Sequence, residues 1–103
     1  MSRGTPSQRT YAEGYIVRQC ERTASRVVDG KAVVVLIDRQ VLHTLNPVGT
    51  VIWELADGRT LGAILDSIEE EFEIDRATAL ADASRFLEEL ETLGALRIEA
   101  ADR

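Results

Sequence analysis

At Asn46-Pro47 the hydrophobic period of the chain changes from two residues to about 3.6, and this switch divides the sequence into a strand region and a helix region. Proline at the first helical position loses nothing, because the N–H it lacks is orphaned there anyway. Asn46 before it can cap the same helix by accepting an amide hydrogen bond.

Upstream of the switch, Val27-Val28-Asp29-Gly30-Lys31 sets an Asp-Gly pair between β-formers, a hairpin signal because both turn residues tolerate positive φ. Ala32 to Ile37 is apolar on both faces, as in a central strand. Asp38-Arg39 makes a second turn without glycine. Gln40 to Leu45 alternates Val41, His43 and Leu45 on one side with Leu42 and Thr44 on the other. Three short strands and tight turns read as an antiparallel meander.

Downstream, Val48, Val51, Ile52 and Leu55 form a helical stripe that Asp57-Gly58 ends, and Gly58-Arg59-Thr60 reads as a turn between helices. Thr60 caps a second helix with Leu61, Ile64, Leu65, Ile68 and Phe72 on one face. Asp75 caps a third, running to about Thr92, with Gly94 just beyond it. Leu96 and Ile98 add a short last strand or simply pack. The expected fold is α+β and winged helix-turn-helix-like: a three-stranded antiparallel sheet followed by three helices. Residues 1–10 read as a mobile arm. Tyr11, Tyr15, Ile16 and Val17 form an apolar island, either an extra strand on this domain or one that docks on a second subunit. The division is then an arm over 1–22, a domain over 23–98 and a tail over 99–103.

A chain of 103 residues, 45% hydrophobic, carries one core. It contains no 18-residue apolar run and no secretory signal pattern, so no membrane partner and a cytoplasmic location are expected. One cysteine, Cys20, excludes an internal disulfide, and with a single histidine a zinc site would need carboxylates or a second chain. Cofactors and metals are therefore not expected. His43 reads as a structural histidine or a peptide contact, and Trp53 as core packing at the margin of the first helix's stripe. Neither a nucleophile nor an acid–base pair is placed by the sequence, so no enzyme activity is expected.

The net charge of −6 is uneven: six basic residues stand against three acids up to Lys31, and six arginines against fifteen acids after it. The third helix would be the reading helix of a DNA-binding protein. From Arg76 to Thr92 it sets Arg76 and Arg85 against Asp82, Glu88, Glu89 and Glu91, which opposes phosphate contact, so no nucleic acid partner is expected.

Val28-Asp29-Gly30, Leu45-Asn46-Pro47-Val48-Gly49 and Ile52-Trp53-Glu54-Leu55-Ala56-Asp57-Gly58-Arg59-Thr60 recur in one known family. So do Ile64, Phe72, Asp82, Phe86-Leu87, Leu90 and Gly94-Ala95-Leu96. On these residues the segment from Val27 to Ile98 resembles the PqqD-like family, the RiPP recognition elements. The resemblance implies a non-catalytic domain that binds the leader segment of a ribosomally made precursor peptide. It also implies delivery of that peptide to a modifying enzyme, such as a radical SAM protein. The leader would add as a strand to the edge of Gln40, Val41, Leu42, His43, Thr44 and Leu45, and lie against the N-terminal half of Arg76 to Glu89. Arg76, Asp82 and Arg85 are then the polar anchors, and Leu42, Ala79, Ala83 and Phe86 the apolar lining. His43 departs from the pattern, where the family usually has an aliphatic residue, and the N-terminal arm is not explained by it. Two other readings stand beside this one: a winged-helix transcription regulator, and a homodimeric interaction module in which the Tyr11–Val17 island completes a neighbour's sheet.

Overall fold

Both residues of the Asp29-Gly30 turn have positive φ, 54° and 79°, so β2 (Thr23–Val28) folds back directly onto β3 (Lys31–Leu36) with Val28 opposite Lys31. This computed structural model describes residues 11–100. The next turn takes four residues, 37–40, before β4 (Val41–Thr44) returns along β3. No glycine is available to close it, and Gln40 adopts the left-handed conformation instead, at φ 55°. Gln40, expected to open the strand, therefore belongs to the turn.

Asn46 caps α1 (Pro47–Leu55) as its sequence predicts, its side chain accepting the Gly49 N–H at 2.7 Å. The buried side of this helix is Gly49, Thr50, Ile52 and Trp53, one step round from the expected stripe, and Val48, Val51 and Leu55 are only partly covered. Trp53 is fully in the core and not at its margin. Ser25 of β2 closes over it and accepts its indole N–H at 3.0 Å. α2 (Leu61–Phe72) is capped by Thr60 and α3 (Arg76–Leu93) by Asp75, and Gly94 ends α3 at φ 87°.

The structure holds a second sheet that the sequence reading did not contain. β1 (Ile16–Gln19) lies between β5 (Asp57–Thr60) and β6 (Leu96–Glu99), antiparallel to both. The Asp57-to-Thr60 segment is thus a strand and not a plain helix–helix turn. Its strand character comes from pairing with β1, and the register slips by one residue so that Gly58, at φ 104°, is accommodated as a bulge. Residues 11–19, assigned by the sequence reading to an arm, are packed into the domain. Val17 and Tyr11 are buried, the Tyr11 N–H donates to Ser84 Oγ on α3, and its hydroxyl donates to Glu91 at 2.8 Å. The apolar island is consumed within its own chain. The mobile arm expected over residues 1–10 lies outside the described residues.

The core sits between the two sheets and the helices: Ala32, Val34 and Leu36 of β3 face Ile52 and Trp53, and α2 contributes Leu61, Ile64, Leu65 and Ile68. From α3 come Ala79, Ala83, Leu87 and Leu90. Among the described residues no helix is long and apolar enough to cross a membrane, and no group of three or more metal-ligating side chains converges.

Candidate functional site

Among the described residues β4 pairs with β3 and with no other strand, which leaves one of its long edges open. Which backbone groups that edge presents follows from parity. The Leu45 N–H donates to the Ala32 carbonyl at 2.8 Å, and in an antiparallel ladder alternate residues point their N–H and C=O groups to the same neighbour. Val41, His43 and Leu45 therefore bond toward β3, while the N–H and C=O of Leu42 and Thr44 point out of the sheet. The ladder also ends abruptly. Where Leu45 would return a bond to the Ala32 N–H, the chain turns into α1, and Thr50 Oγ1 accepts that buried N–H at 2.8 Å instead.

α3 runs beside this edge and the two enclose a groove. One cavity, of about 390 Å³, is lined by His43, Arg85, Glu88, Glu89, Thr92 and Leu93. It continues into smaller ones, of about 120 Å³ and 270 Å³, which bring in Thr44, Leu45, Asn46, Phe86 and Leu90, then Val48, Gly49 and Asp82. Passing from His43 to Asn46 along the strand, the facing helix residues step back from Leu93 toward Asp82, so strand and helix run in opposite directions. Phe86 reaches the floor because residue 49 is glycine. A Cβ there would stand 2.7 Å from the Phe86 ring and 3.1 Å from Asn46 Oδ1.

Of the residues the sequence assigned to the site, His43, Thr44, Leu45, Asp82, Arg85 and Phe86 meet at the groove. The other side chains do not line it. Leu42, 62% exposed, is on the opposite face of the sheet from His43, beside Val35. Val41 lies at the start of the strand against Leu36, and Gln40 is in the turn. Ala79 and Ala83 are fully buried inside the fold and offer no surface. Arg76 belongs to a different cluster: it clamps Glu13 with two bonds of 2.7 and 3.0 Å, pairs with Asp66 at 2.7 Å and reaches the Gly62 carbonyl. Those carboxylates hold its guanidinium still more firmly protonated, and its hydrogen bonds lower the Glu13 carboxyl below its ordinary value. The sequence reading missed the C-terminal half of the wall, Glu88, Glu89, Thr92 and Leu93. The signal for it was present, since these residues share the helix face of Arg85 at spacings of three, four, seven and eight.

Residues 31–96 match the family described as coenzyme PQQ synthesis protein D (PqqD). The chain belongs to the PqqD family. A solved structure titled TbiB1 in complex with the TbiA(beta) leader peptide superposes on this PqqD domain with a TM-score of 0.73 at 28% sequence identity. The alignment covers 82% of this chain and 99% of TbiB1. A search of curated proteins gave no match. Membership bears out the α+β, recognition-element fold read from the sequence, with β1, β5 and β6 as an added sheet.

Proposed function

We propose that this PqqD-family domain binds the leader segment of a ribosomally made precursor peptide as an added strand on β4, in the groove against α3, and presents it to a peptide-modifying enzyme such as a radical SAM protein. One observation carries the reading: the open edge of β4 lies along an apolar-floored groove. An extended peptide satisfies the outward N–H and C=O groups of Leu42 and Thr44 while alternate side chains enter the cavities. TbiB1, of matching fold, was solved with a leader peptide, which supports the assignment. The binding unit is residues 23–98, buttressed by the segment from Tyr11 to Gln19.

The domain acts by holding and presenting peptide in the cytoplasm, without turnover of its own. The acidic α3 and the absence of a basic reading face disfavour the DNA-binding alternative, and β1, already paired on both sides, disfavours a dimer that shares it.

The test compares Thr44→Pro with Thr44→Ala. Proline deletes an outward donor of the edge, and alanine keeps it. With the leader of a precursor encoded beside this chain's gene, both variants being checked for folding, proline should weaken binding well beyond alanine. Amide shifts on titration should cluster on residues 40–45 and 82–93. Equal affinities, or shifts gathered on α2, would defeat the assignment.

A further inference from the structure

The groove walls carry charge that the fold leaves unanswered. Arg85 is already engaged by Asp82 at 2.9 Å. Glu88, half-buried, and Glu89, exposed, line the same cavity as His43, and neither side chain has an ion-pair or hydrogen-bond partner among the described residues. Several surface carboxylates are answered within the fold, Glu13 and Asp66 by Arg76, Asp38 by Arg22, Asp57 by Arg59 and Glu99 by Arg97, and what sets Glu88 and Glu89 apart from other unpaired ones is their place in the groove wall. At the Asn46 end of the groove Phe86 and Leu90 supply the apolar part of the wall, Glu89 reaches in beside them, and Glu88 is confined to the His43 end.

Resting on the strand-addition reading above, we infer that Glu88 and Glu89 determine specificity by selecting a lysine or arginine in the bound peptide, one residue removed from a large apolar side chain that occupies the Phe86 cavity. The open edge requires an extended ligand, and the two carboxylates decide which side chain it carries. An added strand turns alternate residues toward α3, so its inward side chains recur every ~6.6 Å, close to the ~5.4 Å of one helical turn. One inward residue therefore meets the Phe86 turn, and the next inward residue meets the turn of Glu88 and Glu89. A cation there balances two carboxylates, Glu88 half-buried and Glu89 exposed, whereas an acidic side chain at that point adds a third negative charge.

The probe is a displayed library of short random peptides, selected against the wild-type domain, the Glu88→Gln/Glu89→Gln variant and the Glu88→Lys/Glu89→Lys variant, each confirmed as folded by its amide spectrum. Peptides won on the wild type should share an apolar residue and, two positions away, lysine or arginine. The glutamine variant should keep the apolar preference and lose the basic one, binding wild-type winners roughly two- to fivefold less tightly, as for a partly exposed ion pair. The lysine variant should turn the preference to Asp or Glu. A wild-type consensus without a basic residue overturns the inference while leaving strand addition intact, and so does a basic preference that both variants retain. Winners that shift no amide of β4, or a selection that yields none, overturn the strand-addition reading and this inference with it.

Discussion

The Thr50 hydroxyl is the acceptor for a backbone N–H that the ladder cannot use, at Ala32, which is fully buried. Thr50→Val preserves shape but strands that donor, and should cost about 1–3 kcal/mol of unfolding free energy, whereas Thr50→Ser, which keeps the oxygen, should cost less. Denaturant midpoints of the two variants check the ranking. Glu73 closes α2 in the left-handed conformation at φ 55°, with its side chain exposed. Glycine adopts that geometry without strain, so Glu73→Gly should raise stability by about 0.5–1 kcal/mol. Leu42 had looked like groove lining in the sequence. Because it faces away, Leu42→Thr should change stability by less than ~0.5 kcal/mol, as for other exposed positions.

Between elements, α1 and α3 meet where Gly49 admits the Phe86 ring. Gly49→Ala should cost roughly 1–3 kcal/mol through overpacking and displace Phe86 within the groove, read out as ring-proton shifts together with a lower midpoint. The elements with local signals were legible in the sequence. The Asp29-Gly30 hairpin, the three N-caps at Asn46, Thr60 and Asp75, and the Gly94 stop all rest on residues within a few positions of one another. β1 and β6 were legible only as one of two alternatives each, and β5 not at all, because each becomes a strand only against partners remote in the chain. Polar Asp57-Gly58-Arg59-Thr60 has no strand pattern of its own. Of the groove lining, His43, Thr44 and Leu45 lie on the strand that alternation marks. The residues named at the start of the helix do not line it, since Ala79 and Ala83 serve the core and Arg76 serves another cluster.

For the molecule as a whole, three carboxyls are lowered by the fold: Glu13 by its hydrogen bonds from Arg76, Asp38 by those from Arg22, and Asp75 by the capped Thr78. A carboxyl lowered in the folded state stabilises it above the unfolded value and ceases to do so as the pH falls through the folded one. Thermal midpoints should therefore hold from neutrality to about pH 5, then fall through the range below the ordinary carboxyl values of 4.5 and 3.8. Glu13→Gln should lower the midpoint at pH 7 and flatten that acid slope. The Arg76 cluster joins residues 13, 62, 66 and 76, and β1 pairs with β6 near the other end of the chain. On a ribosome working at roughly 5–20 residues per second, about 80 residues separate the making of β1 from the making of its partner, so the strand waits on the order of 4–16 s. During that interval the β2–β3–β4 meander and α1 can close, because their contacts are local. The edge of β4 can thus form on the nascent chain before the second sheet is completed.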